Sequence, residues 1–177
     1  MRRLFVAIRP PEEIRALLLG TMGGIGGARW QSDDQLHLTL RFVGDVDRHM
    51  ARDVDAALGA LHHPGFDIAI DGLGQFDRRG QPETIWAGVA PRAPLERLNN
   101  KVEQALLRVG LAPETRAYLP HITLARLNRH SGPVRDFVAA RGGLASPPFS
   151  INAFGLFESV LAPEGAVYTE IARYALD

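Results

Sequence analysis

"LHLTLRFVG" (residues 36–44) and "PHITLARL" (residues 120–127) carry the same short pattern: a histidine, an apolar residue, a threonine and a leucine. Both stretches alternate as a strand does, so residues two apart share a face. His37, Thr39 and Arg41 are expected on one face, with Leu38, Leu40 and Phe42 on the other. His121 and Thr123 likewise share a face, backed by Ile122 and Leu124. Each copy sets an imidazole beside a hydroxyl on an apolar-backed strand, which is a rigid place to hold reacting groups. One copy alone needs no special explanation, because threonine favours strands. Matching copies do need one. On composition, a given histidine meets this sequel about 1% of the time, and the chain holds only 6 histidines.

Outward from the two motifs, the element order repeats. Residues 4–8, "LFVAI", read as a buried strand ended by Pro10 and Pro11. A helix follows in "PEEIRALLL", opened by Pro11 and two glutamates. The first motif strand spans 36–43. The segment from Asp47 then places Met50, Val54, Leu58 and Leu61 on one helical face. "FDIAIDGLGQF" and "ETIWAGVA" read as two strands around a polar turn. A helix from Pro94 carries Leu95, Leu98, Val102, Ala105 and Val109 on one stripe, and the second motif strand spans 119–125. A short helix is expected at 133–140, with strands at 149–157 and 166–175. Strand, helix, motif strand and helix thus occur twice, with no linker between. The expectation is one α+β domain over residues 1–177, built of two related halves.

Composition narrows the chemistry. The chain has 177 residues and no cysteine, which removes disulfides, thiolate metal sites and cysteine nucleophiles. Its 20 basic and 20 acidic residues balance, which argues against broad duplex binding and allows contact with a terminus or a few nucleotides. Lys101 is the only lysine, so an arginine near a motif is weak evidence by itself. The N-terminal "MRRLFVAIRPPEE" is too short in apolar residues for a signal peptide, and no stretch approaches a membrane span. A cytoplasmic, monomeric protein without membrane contact is expected.

Two histidines and two hydroxyls suit a limited set of reactions. A serine triad needs a nucleophile elbow such as G-x-S-x-G, and none occurs. Two imidazoles can ligate a metal, but H-x-H and H-E-x-x-H spacings are missing and threonine is a poor zinc ligand. No metal and no cofactor are expected. Paired imidazoles do suit concerted acid–base work: one takes a proton from water, and the other gives one to a leaving oxygen. Thr39 and Thr123 would bind the non-bridging oxygens of a small phosphodiester.

These motifs resemble the 2H phosphoesterase superfamily, in particular its RNA 2′,3′-cyclic phosphodiesterase branch, first described as 2′–5′ RNA ligases. "RLFVAIRPP", "LHLTLRFVGDV", "TIWAGV", "PHITLARL" and "FGLFESVLAPEGAVYTEIARYAL" carry the likeness, in order, along nearly the whole chain. The resemblance implies a bilobed fold, with two pseudo-symmetric antiparallel sheets, outer helices and a central cleft. It implies hydrolysis of a terminal 2′,3′-cyclic phosphate to a 2′-phosphate on RNA 3′ ends or short oligonucleotides. It also implies that His37 donates a proton and His121 accepts one, an assignment the residues alone leave open. Two other readings share the site: a phosphodiesterase acting on a small cyclic nucleotide, and a module that binds nucleotides or RNA ends without turnover. Ligation by the same groups is unfavourable in water and is expected only as a side activity.

Several residues remain as secondary candidates. Arg126 follows the second motif and is a candidate for phosphate contact, although strict alternation places it opposite His121. Arg41 is weaker, for reasons of reach. Phe42 and Tyr118 are candidates for stacking a base, Phe42 being first a core residue. Trp30 and Trp86 are expected to pack. His49, His62, His63 and His130 are expected at the surface, and Asp33, Asp34 and Asp45 in capping roles.

Overall fold

The computed structural model describes residues 1–177. In chain order the elements are β1 (Arg2–Ile8), α1 (Glu12–Thr21), β2 (Arg29–Trp30), a 3₁₀ turn (Asp33–Gln35), β3 (Leu38–Val46), α2 (Arg48–Gly59), β4 (Phe66–Arg78) and β5 (Gln81–Ala90). They continue as α3 (Ala93–Arg108), β6 (His121–Arg126), α4 (Arg135–Arg141), β7 (Phe149–Ile151), β8 (Ala153–Ala162) and β9 (Gly165–Ala175). Every paired strand is antiparallel. Apolar stripes on the helices set the core: Ile14 and Leu18 of α1, Val54 and Leu58 of α2, and Leu95, Leu98 and Val102 of α3 are all buried against the strands. Asp47 starts α2 by accepting a hydrogen bond from the Met50 amide (2.8 Å).

The halves expected as two sheets are hydrogen-bonded into one path, β7-β4-β5-β6-β3-β1-β8-β9, with β2 added beside β6. They meet at its middle through one pairing, Leu38 opposite Ile122. β9, β8, β1 and β3 form one half, and β6, β5, β4 and β7 form the other. The segment expected as one strand, 149–157, is divided at Asn152, because β7 pairs with β4 while β8 pairs with β1 on the far half. The chain crosses between the halves there, and the Asn152 carbonyl accepts a bond from the Leu176 amide (2.8 Å).

Strict alternation fails at the same point in each motif strand. Along β1–β3, Ala7 faces Thr39 and Val6 faces Arg41, so Leu40 is the extra residue of a β-bulge. Along β5–β6, Trp86 faces Thr123 and Ile85 faces Ala125, so Leu124 is extra. Each bulge reverses which face the following residues occupy. Arg41 therefore turns inward instead of standing beside Thr39. Phe42, expected in the core, turns outward and is 56% exposed.

Arg41 is 8% exposed and ties three segments together. Its Nε donates to Glu103 Oε2 on α3 (2.6 Å) and its Nη2 to the Ala112 carbonyl (2.6 Å). The Arg41 guanidinium holds the Glu103 carboxyl below its ordinary range, and Glu103 Oε1 accepts a bond from the Glu114 amide (3.0 Å). This is an architectural ion pair and has no access to a ligand. His63 also departs from expectation: it is 3% exposed, its ring lying edge-on to Phe66 (5.7 Å between centroids) and its carbonyl accepting a bond from the Asp177 amide (2.9 Å).

Breaking a buried pair strands the remaining charge. Arg41→Ala is expected to lower the unfolding free energy by about 3 kcal/mol, measured by urea denaturation. An Arg41→Met, Glu103→Leu double variant should recover part of that loss, since no unpaired charge is left behind.

Candidate active site

The central Leu38–Ile122 pairing brings the two motifs together. Extended one residue each way, the antiparallel register sets His37 across from Thr123 and His121 across from Thr39. The local arrangement is two-fold symmetric, each imidazole facing the hydroxyl of the other copy. All four residues line one cleft of about 760 Å³. The Leu124 bulge brings Arg126 to the same wall, which reverses the alternation-based objection to it.

Each histidine sits in a seat built by its own half. His37 is 7% exposed and lies edge-on among Phe157 (4.6 Å), Tyr168 (5.5 Å) and Phe5 (6.0 Å), measured between ring centroids. The turn before it is clamped: Arg9 Nη1 donates to the Asp33 carbonyl (3.1 Å), and Arg15 Nε donates to the Asp33 carboxylate (2.9 Å). Arg15 holds the Asp33 carboxyl below its usual value. Gln35 Nε2 donates to the Ala166 carbonyl (2.8 Å), fastening that turn to β9. His121 is walled by Phe76 (5.0 Å) and Trp86 (5.8 Å). Trp86 in turn lies over Gly74, where any Cβ would overlap its ring.

The two imidazoles differ in their hydrogen bonds. His121 Nδ1 lies 2.7 Å from the Leu119 carbonyl, and since a carbonyl only accepts, Nδ1 carries the proton. Nε2 is left as a lone-pair acceptor. Both ring nitrogens of His37 are buried and have no partner in the protein. The Gln35 carbonyl nearby favours the imidazolium without meeting hydrogen-bond geometry. Burial pushes the His37 pKa down to about 4, and the arginines at positions 9 and 15 add to the shift. Burial also lowers His121, helped by the charge of Arg126 and opposed by the Leu119 carbonyl. In the free protein both rings favour the neutral form.

The balanced overall charge conceals a local excess. Arg3, Arg29, Arg116 and Arg126 line the cleft, and no carboxylate does. Sequence reasoning missed Arg29, because a two-residue strand leaves no periodic signal. Phe42 reaches the cleft wall and packs on Phe5 (6.2 Å). Tyr118 does not: its hydroxyl donates to the Thr39 carbonyl (3.2 Å), bracing the motif strand from behind. Trp30 packs on Phe137 (5.3 Å), and His49, His62 and His130 are exposed. No group of three metal-ligating side chains gathers anywhere in the chain, and no helix is long and apolar enough to cross a membrane.

Residues 7–163 match the family model of the 2′-5′ RNA ligase superfamily. The chain is 32% identical to a Thermus thermophilus protein named RNA 2′,3′-cyclic phosphodiesterase, over 98% of this chain and 90% of that one. It is 30% identical to the protein of the same name from Escherichia coli, over 99% and 97%. Among solved structures it is similar to E. coli LigT without ligand (TM-score 0.80, 29% identity, 99% and 97% covered). It is also similar to E. coli LigT in complex with 3′-AMP (TM-score 0.78, 28% identity, 99% and 98% covered).

Two proton-linked behaviours are expected of this cleft. In ligand-free protein both imidazoles titrate below the ordinary 6.5, His37 near 4. Inorganic phosphate should raise His37, because a neighbouring anion favours the imidazolium; a histidine NMR titration with and without phosphate measures this. The unfolded chain protonates first, so the protein should lose stability as pH falls from 6.5 towards 4, read from denaturation midpoints across that range.

Proposed function

The chain belongs to the 2′-5′ RNA ligase superfamily, and from that membership and the chemistry of its cleft we propose that it hydrolyses terminal 2′,3′-cyclic phosphates on RNA or oligonucleotide ends, leaving a 2′-phosphate. The names of its relatives support the reaction class. The observation that carries the reading is two imidazoles, His37 buried and His121 half-buried, with two hydroxyls on one cleft wall free of carboxylates.

In this reading the cyclic phosphodiester binds with its non-bridging oxygens on the Thr39 and Thr123 hydroxyls and the Arg126 guanidinium. Water attacks phosphorus, and His121 Nε2 accepts its proton, as the Leu119-fixed tautomer allows. The bond from phosphorus to O3′ breaks, and His37 donates a proton to the departing O3′. The products are a 2′-phosphate and a free 3′-hydroxyl. His37 favours the neutral form in the free protein, and the bound anion supplies the field that raises its pKa into a useful range. Protein groups perform every step, so the reaction is metal-independent. The proposal takes residues 1–177 as a single two-lobed domain acting without a cofactor.

His37→Ala and His121→Ala are each expected to reduce kcat at least about 10²-fold, assayed with a short RNA ending in a 2′,3′-cyclic phosphate. Excess EDTA should leave the wild-type rate unchanged, and ³¹P NMR should identify a 2′-phosphate. Wild-type-like turnover in either variant would overturn the reading. The pH dependence follows from the free-protein shifts. The productive form has one imidazole charged and one neutral, so its population peaks between two values that both lie below 6.5. The kcat/KM optimum is therefore expected on the acid side of pH 6.5, and the kcat optimum at higher pH, since bound substrate raises His37.

A further inference from the structure

The cleft wall holds more positive charge than hydrolysis of one phosphodiester requires. Arg29 on β2 stands directly opposite Arg126 on β6, and Thr84 on β5 flanks Arg126 from the other side. All three line the cleft. Directly opposed cross-strand residues have Cβ atoms about 4.5–5.5 Å apart, and like charges so placed repel. The other cleft arginines have partners: Arg3 lies 3.7 Å from Asp45, and Arg116 lies 3.2 Å from Glu114. Arg29 and Arg126 have no carboxylate within ion-pairing distance. The fold nevertheless fixes the backbone of the Arg29 segment in place. The Gln31 amide donates to the Leu124 carbonyl (2.8 Å), and the Gly132 amide donates to the Gly26 carbonyl (2.7 Å). Two guanidiniums on directly paired residues without a counter-charge become favourable neighbours when an anion lies between them.

The position of the pair identifies that anion. Strand rise places Arg126 up to about 10 Å beyond Thr123, so the pair stands to one side of the histidine–threonine site. A 2′,3′-cyclic phosphate ends its chain, so every other backbone phosphate of the substrate lies on its 5′ side. We propose that Arg29 binds the phosphodiester immediately 5′ of the terminal cyclic phosphate, with Arg126 standing between the two phosphates, so that the cleft favours oligonucleotide ends over mononucleoside 2′,3′-cyclic phosphates. The assignment rests on the hydrolytic function proposed above and adds its substrate preference.

The test compares kcat/KM for a dinucleotide ending in a 2′,3′-cyclic phosphate with that for a mononucleoside 2′,3′-cyclic phosphate. Wild type, Arg29→Gln and Arg29→Lys are measured. Arg29→Gln should lose about tenfold on the dinucleotide and change less than about twofold on the mononucleoside. Arg29→Lys should retain most of the preference. For the dinucleotide, the slope of log kcat/KM against log salt should fall by about 0.7 in Arg29→Gln, the share of one single-strand phosphate contact. Equal losses on both substrates, or none on either, would overturn the assignment. If wild type turns over neither substrate, the hydrolytic reading fails by itself. The role of Arg29 is then decided by calorimetry, comparing a dinucleotide 2′-phosphate with a mononucleoside 2′-phosphate: a dinucleotide advantage lost in Arg29→Gln supports it, and an unchanged ratio refutes it.

Discussion

Leu38 and Ile122 are paired across the middle of the sheet, and the two halves share no other register pair. That contact converts a repeated sequence into a shared site. An antiparallel pair of similar strands is two-fold symmetric about its centre, so identical motifs on either side must produce two imidazoles and two hydroxyls in related positions. Parallel strands would instead set like against like, histidine beside histidine along one edge. The apolar residues of each motif keep the pairing in register, because a slip of one residue would turn Leu38 and Ile122 out of the core and the histidines into it.

The symmetry extends to the backbone but not to the surroundings. One histidine hydrogen-bonds a carbonyl through Nδ1 and the other has no protein partner. That difference fixes the tautomer of His121, with Nε2 free to accept, and leaves His37 without a protein group to fix its own. Aromatic walls on both sides replace part of the water around each ring, which strengthens an interaction with a bound anion and depresses charge in its absence. In the hydrolytic function proposed for this cleft, ligand binding and proton uptake are coupled, because a bound anion offsets the burial that lowers both imidazoles.

Much of this was legible in the sequence. The repeat identified His37, Thr39, His121 and Thr123, all of which the fold gathers on one wall, and the apolar stripes located the helices. The rest was hidden for specific reasons. The bulges at Leu40 and Leu124 use residues compatible with a regular strand, so alternation placed Arg41, Phe42 and Arg126 on the wrong faces. β2 is too short to show a period, and Arg29 went unseen with it. The division at Asn152 depends on which half each neighbour pairs with, a long-range fact that no local window contains.

Asn152 also orders events in time. The half that begins with β1 is completed by β8 and β9, the last strands of the chain, and two of the three aromatic rings around His37 lie on them. During synthesis β1 and β3 emerge first, and one edge of β1 stays unpaired until β8 has followed. The half built on β4, β5 and β6 is complete sooner, lacking only short β7. Truncation from the C-terminal end would therefore dismantle the seat of the N-terminal histidine first, while leaving His121 within its own walls.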